Sequence, residues 1–215
     1  MHDDLHRQAS SAHYFQQEYD DLPRFISYFY QVDLVRSLQP RSVLEIGVGN
    51  KTVANYLRQN GIEISTCDID AELHPDYVAD VRTLPFPDDS YDVVMACEVL
   101  EHLPWSDLER ALRELHRTTR RFVLLSLPHA SAALEVVLRN PLPPRMLKTP
   151  FFGVSVRMPL FFTRTASTGE HHWEIGRRSF PARRIRAALR KHFTIRREVR
   201  PALHSYHHFF VLEKR

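Results

Sequence analysis

Between residues 42 and 127 the chain alternates short apolar, β-rich runs with runs of helical periodicity, and turn residues mark each change. Ser42–Ile46 reads as a strand closed by Gly47-Val48-Gly49, and Thr52–Gln59 as a helix stopped by Asn60-Gly61. Residues 62–67 form a second strand ending at Asp68, residues 77–79 a third, and Pro85 to Ser90 are turn chemistry. Residues 91–96 read as a fourth strand, apolar apart from Asp92, as expected of a parallel strand covered by helices on both faces. Ser106 caps the next helix, with Glu109 completing a capping box. Leu108, Leu112 and Leu115 are its buried stripe, and Arg120-Arg121 end it on the side favoured by the helix dipole. Residues 122–127 are a fifth strand, ending at Pro128. Such alternation predicts an α/β fold with a doubly wound, mostly parallel sheet and helices on both faces.

The flanks complete that plan. Residues 13–38 carry helical periodicity, divided into two helices by Pro23. The rhythm fails between about Asn140 and Arg178, where Pro141, Pro143, Pro144, Pro150 and Pro159 break regular structure. Phe151-Phe152 and Phe161-Phe162 are too apolar for a solvated linker, so this stretch reads as an inserted lid after the fifth strand. Ser179 then caps a helix running to Lys191, and strands over residues 193–200 and 206–212 bring the sheet to seven. The expectation is one domain over 1–215, made of N-terminal helices (1–40), the alternating half (41–128), the insert (129–178) and a closing helix and strands (179–215).

Composition narrows the function classes. The 215 residues carry a net charge of only +3, yet the charge is split. Through Ala130 there are 12 basic and 21 acidic residues, and from Ser131 onward 17 basic and 5 acidic. Two cysteines, Cys67 and Cys97, argue against a disulfide scaffold and fit a reducing compartment. No apolar run approaches the roughly 18 residues of a membrane span. The polar start MHDDLHRQ does not read as a signal peptide, so a cytoplasmic protein is expected.

The most informative segment is Glu45-Ile46-Gly47-Val48-Gly49-Asn50-Lys51-Thr52. Glycines at a strand-to-helix turn let the backbone bend sharply and a ligand approach closely. A phosphate-cradling P-loop would need glycines at Glu45 and Asn50, and a dinucleotide fingerprint one at Thr52. Glu45 would also repel a pyrophosphate. An acidic loop suits a cationic ligand. The arrangement resembles the E-x-G-x-G motif of class I S-adenosylmethionine-dependent methyltransferases, of the type 11 and ubiquinone-pathway O-methyltransferase kind. Leu84-Pro85-Phe86-Pro87-Asp88-Asp89-Ser90-Tyr91-Asp92-Val93-Val94 looks like the family's L-P-F-x-D-x-S-F-D-V-V stretch, and the likeness spans about residues 41–128. It implies a Rossmann-like fold and a cofactor site of Glu45, Gly47, Val48, Gly49, Asp68, Ile69, Asp80, Val81 and Cys97. Within it Asp68 would hold the ribose hydroxyls and Asp80-Val81 the adenine edge. One departure is Lys51, where family members often carry a third glycine; the turn is then set by Gly47 and Gly49 alone.

Cys97-Glu98-Val99-Leu100-Glu101-His102-Leu103 follows the fourth strand, at the edge where open α/β sheets place their sites. Glu98, Glu101 and His102 are spaced i, i+3, i+4, so a helical turn would project them to one side. Two carboxylates and an imidazole suit either a hard-metal site or an acid/base pair. This E-x-x-E-H spacing is similar to that of small-RNA 3′-terminal 2′-O-methyltransferases, which add a histidine from a later segment. Here that segment is Glu170-His171-His172-Trp173-Glu174, some seventy residues on. The resemblance implies Mg²⁺ or Mn²⁺ held by Glu98, Glu101, His102 and His171, which are also the candidate catalytic residues. The bland alternative stays open, with Glu98 touching the cofactor and His102 packing. His207-His208 reads as part of an alternating edge strand, and Cys97 as small packing rather than a nucleophile. Tyr14, Phe15 and Tyr19 have two uses, closure over the cofactor or core packing.

Arginines crowd the C-terminal stretch, and the helix after Ser179 turns Ile185 and Leu189 inward. Phosphate binding, an anionic membrane surface and an ordinary solvated face compete for that charge. The neighbouring insert, with Arg145, Lys148, Arg157 and Arg164, suits an apolar or anionic small-molecule acceptor, or a homodimer interface. Methylation of a small-molecule hydroxyl is the leading expectation. RNA as acceptor is an alternative without a recognisable RNA-binding module. A noncatalytic cofactor-binding scaffold, suggested by Lys51, is another.

Overall fold

The alternating segments form a doubly wound, Rossmann-like sheet of seven strands with helices on both faces. The computed structural model describes residues 14–16, 19–139, 151–159 and 171–215. In chain order the elements are α1 (Leu22–Ser37), β1 (Ser42–Ile46), α2 (Thr52–Gln59), β2 (Glu63–Asp68), β3 (Tyr77–Val78) and β4 (Tyr91–Cys97). There follow α3 (Leu108–Thr118), β5 (Thr119–Pro128), β6 (Ser131–Arg139), β7 (Phe151–Pro159), α4 (Ala182–Leu189), β8 (Phe193–Val199) and β9 (His207–Lys214). The strand order is β3-β2-β1-β4-β5-β9-β8, parallel except that β9 runs antiparallel to β5 and β8.

Alternation along the strands divides the core into two layers. Leu44, Ile46, Val94 and Ala96 point to the face covered by α3 and α4, meeting Leu112, Leu115, Ile185 and Leu189. Val43, Val93 and Met95 point to the opposite face and meet Leu34 and Val35 of α1 with Val53, Ala54 and Leu57 of α2. Pro23 sits in the first turn of α1, where its missing N–H costs nothing, and Asp21 caps that turn by accepting from the Arg24 amide at 2.8 Å. Upstream, Tyr14 and Phe15 make a 3₁₀ turn.

Several local expectations are corrected. The Ser106–Glu109 capping box does not form, because a 3₁₀ turn over Trp105–Asp107 precedes α3. Ser106 bonds Asp107, and Glu109 is taken by Lys191 and His192 from beyond α4. Arg120 and Arg121 do not end α3 but belong to β5. Ser179 does not cap α4, which starts after Pro181. Lys51 has φ 62, so the loop keeps a third left-handed position although a lysine fills it, and Gly47 and Gly49 do not set the turn alone. The His207-His208 strand is no edge: β9 lies between β5 and β8, and both histidines are buried.

The insert begins as structure, not as an irregular lid. β6 and β7 pair in register as a separate antiparallel ribbon starting directly after β5. Arg200 donates to the Ser131 hydroxyl at 2.8 Å and the Leu203 amide to Glu135 at 2.6 Å, tying the ribbon to the loop before β9. Of the residues singled out in the insert, Pro141, Pro143, Pro144, Arg145, Lys148, Pro150, Phe161, Phe162, Arg164 and Glu170 lie outside the described residues.

Candidate functional site

A cavity of about 230 Å³ opens at the carboxyl ends of β1, β2 and β4. Its walls begin at the β1–α2 loop. Gly47 has φ +80, and a Cβ there would lie 2.4 Å from Val99 Cγ2. Gly49 has φ +47 and faces the Tyr14 ring, whose nearest carbon would lie 3.6 Å from such a Cβ. Both positions therefore keep backbone open to the cavity. The Val48 amide donates to Asp68 Oδ2 at 2.8 Å and the Asp70 amide to Oδ1 at 2.9 Å, which aims the Asp68 carboxylate. Burial raises its pKa.

Of the residues expected at a cofactor, Gly47, Gly49, Asp68, Ile69, Asp80, Val81 and Cys97 line the cavity. Asp80 is gripped by the Arg82 guanidinium, with Nη2 2.6 Å from Oδ2, and its pKa is lowered. The Cys97 thiol is pushed up by burial and by Glu45 and Glu98, so it is no thiolate. Val48 is buried and contributes its amide rather than its side chain. Glu45 does not line the cavity. It points with Val43 to the α2 side of the sheet, is 5% exposed, and leaves Oε2 without a partner among the described residues. Tyr14 and Tyr19 reach the cavity, edge to face at 5.3 Å, whereas Phe15 is exposed.

Burial raises the Glu45 pKa to about 8. A carboxylate with a raised pKa stabilises the fold only below its unfolded value near 4, and that contribution is lost as pH rises through about 8. Glu45→Gln removes the titration. Its melting temperature relative to the parent should therefore climb between pH 5 and 9, by an amount worth about 2–5 kcal/mol. A constant difference over that range would refute this placement of the carboxylate.

At the other wall His102 and His171 line the cavity, and one ligand atom of each lies within 4.8 Å of the other and of a carboxyl oxygen of Glu101, which is buried and not itself part of the lining. Glu101 is 0% exposed, neither carboxyl oxygen receives a hydrogen bond from an N–H or a hydroxyl among the described residues, and its polar neighbour is the Glu98 carboxyl. Burial, reinforced by Glu98, raises its pKa well above the usual range. The distant segment is pinned beside it by two bonds. Buried Trp173 donates its indole N–H to the Leu103 carbonyl at 3.1 Å, and the His172 amide donates to the Glu101 carbonyl at 2.8 Å. His171 Nδ1 lies 3.2 Å from Glu174 Oε1, and Glu174 also accepts from Tyr206 and Arg177. With its pKa lowered to about 2, Glu174 is an acceptor only. Nδ1 of His171 then carries the hydrogen of that bond, which fixes the ring orientation.

Glu98, expected with these three, falls outside the group of atoms mutually within 4.8 Å, although its carboxyl touches that of Glu101. The Glu98 φ of 54 turns the side chain toward Ser126, whose hydroxyl donates to Oε1 at 2.7 Å, and His207 Nε2 lies 3.4 Å from Oε2. Burial raises its pKa to about 7. His207 and Tyr206 also line the cavity, as does Arg24, whose guanidinium stacks over Tyr19 at 4.4 Å. Sequence reasoning missed these. Antiparallel β9 brings its first residues to the carboxyl edge of β5, pairing His207 with Pro128, and no local signal announces that.

Residues 44–125 match a family model described as a methyltransferase domain. No protein of curated function matches the chain. Similar solved structures include the PH0226 protein of Pyrococcus horikoshii OT3, at 15% identity over 94% of this chain and 93% of that one, with a TM-score of 0.61. Magnesium protoporphyrin IX methyltransferase from Synechocystis PCC 6803, with bound SAM, aligns at 16% identity over 97% and 93%, TM-score 0.58. The 1,6-didemethyltoxoflavin-N1-methyltransferase of Burkholderia thailandensis aligns at 16% over 94% and 84%, TM-score 0.57. Identities this low speak for the shared fold.

Proposed function

We infer that the chain, a class I S-adenosylmethionine-dependent methyltransferase with its methyltransferase domain at residues 44–125, methylates a hydroxyl of a small-molecule acceptor with the aid of a divalent cation. One observation carries the cation: the fully buried Glu101 carboxylate, which meets no N–H or hydroxyl donor among the described residues and lies against a second carboxyl, Glu98, beside His102 and His171. A buried carboxylate needs a proton or a cation, and one carboxylate with two imidazoles suits a first-row ion such as Mn²⁺, Fe²⁺ or Zn²⁺ better than Mg²⁺, which prefers oxygen donors. When bound, the ion would lower the pKa of a hydroxyl beside it and orient that oxygen.

The chain's own groups do the rest. Glu174 fixes the His171 ring, and Glu98, titrating near 7, is suited to take the hydroxyl proton. The acceptor oxygen bonds the methyl carbon as the carbon–sulfur bond breaks, releasing S-adenosylhomocysteine. Asp68 would accept from the ribose hydroxyls and Asp80 from the adenine amine, with Ile69 and Val81 against the base. Arg24 would pair with the methionyl carboxylate. Similar enzymes named for a toxoflavin precursor and a porphyrin support a small organic acceptor.

Calorimetry with S-adenosylmethionine and electron paramagnetic resonance with Mn²⁺ test the two halves separately. Both should bind at 1:1, and Glu101→Gln should weaken Mn²⁺ by at least about tenfold while sparing the nucleotide. Unchanged Mn²⁺ binding in that variant would sink the cation; no S-adenosylmethionine binding would sink the enzyme reading.

A further inference from the structure

Lys51 holds a backbone conformation that works against its side chain. Its φ of 62 and ψ of 16 are left-handed. The backbone fixes them, since the Lys51 amide donates to the Val48 carbonyl at 2.8 Å and the Lys51 carbonyl accepts from the Asn55 amide at 2.9 Å. A glycine, frequent at this position in the family, would sit there without strain, whereas any Cβ crowds the following carbonyl.

The side chain makes a bond that no glycine could. Lys51 does not line the cavity; its Nζ donates instead to the carbonyl of His74. His74 is itself left-handed, with φ 49, and closes the 3₁₀ turn over Ala71–Leu73. At the near end of that turn the Asp70 carboxylate accepts from the Glu72 amide at 3.0 Å. The Asp70 amide donates to Asp68 Oδ1 at 2.9 Å. Asp68, Ile69, Asp70 and Leu73 all line the cavity, so this turn is a piece of its wall. The wall is fastened at its Asp68 end by backbone amides and at its far end by Lys51. Asp76, two residues beyond His74, is served by the Thr66 amide and hydroxyl and by Arg58 at 3.6 Å.

We propose that Lys51 is a positioning residue for the cofactor, a latch that ties the 70–74 turn to the glycine loop and sets how firmly the cavity holds the nucleoside half of S-adenosylmethionine. This rests on the assignment of the cavity to that cofactor, and not on the acceptor or the cation. With the tie cut, the turn swings from Asp68 alone, and binding has to order it.

Three variants separate the tie from the strain. Lys51→Gly removes both, Lys51→Met removes only the donor, and Lys51→Arg restores a cationic donor. Isothermal titration of each with S-adenosylmethionine and S-adenosylhomocysteine, beside the melting temperatures of the unliganded proteins, reads the result. Lys51→Gly should melt at or above the parent, because the left-handed strain is gone. It should nevertheless bind both nucleotides about five- to tenfold more weakly, the worth of one charge-assisted hydrogen bond. Lys51→Met should lose the same factor, and Lys51→Arg should stay within about twofold of the parent. A lysine serving stability alone would not give weaker binding in a protein that melts no lower. Parental affinity in both Lys51→Gly and Lys51→Met would overturn the latch, as would affinity that falls only in step with melting temperature. A parent that binds neither nucleotide would remove the cavity assignment, and the latch with it.

Discussion

Glu101→Gln is expected to lower kcat by about 10³-fold or more, some 4 kcal/mol of barrier, while the dissociation constant for S-adenosylmethionine stays within about twofold. The two effects separate because of where the side chain sits. Glu101 is not among the residues lining the cavity, yet one of its oxygens lies within 4.8 Å of ligand atoms on His102 and His171. Glutamine preserves shape but removes the only anionic member of that trio. His171→Ala should act alike. Glu174→Gln, which removes the charge that orients His171, should weaken the ion by roughly 10–100-fold and be rescued by added Mn²⁺. A purely structural role would instead lower the melting temperature without metal rescue. Turnover of phenolic and catechol acceptors, with and without EDTA, reads the result; turnover indifferent to both EDTA and Glu101→Gln would remove the cation from the mechanism.

The largest effect on stability should come from Gly176→Ala. This glycine has φ +88, and a Cβ there would meet the Ala130 carbonyl oxygen at 2.3 Å and the His129 ring at 3.1 Å. The carbonyl belongs to backbone held by the Ala130–Ile175 bond and cannot step aside as a side-chain tip would. Left-handed strain plus that collision should cost about 3 kcal/mol or more, lowering the melting temperature by roughly 6–12 °C. Gly61→Ala is the control: it has φ +81 with nothing within 4 Å, so it carries the strain alone, about 1 kcal/mol. Equal melting temperatures for the two variants would show that the 174–176 turn does not press on the end of β5. Because that turn follows His171, the alanine variant should also bind Mn²⁺ less well.

Where signals are local, the sequence was readable. β1 and α2 fall at the residues expected, since Gly47 and Asn60-Gly61 punctuate them directly. The apolar run of β4 likewise announced a strand covered on both faces. Expectations failed where a distant partner decided the outcome. Glu109 abandons a cap for His192, eighty-three positions away. The ribbon depends on pairing across a gap whose prolines advertise only irregularity. Lys51 shows the converse, a backbone conformation kept after its usual residue is gone. At the site, Glu101 and His102 of the E-x-x-E-H run lie together, and φ 54 at Glu98 turns that carboxyl toward Ser126 and His207 while it still touches Glu101. Helical spacing could not foresee a left-handed residue.

The position of β9 also has a consequence for synthesis. It is made after β8 yet lies between β8 and β5, so β8 has no partner in the sheet when it emerges. Until His207 and the residues after it follow, the β5 edge stays open and the buried faces of Phe209 and Phe210 have nothing to fill them. An open edge beside a long apolar strand is a template for pairing with other chains. Slow translation or stalling between residues 199 and 207 should therefore favour aggregates over soluble protein, and a holding chaperone should act in that window.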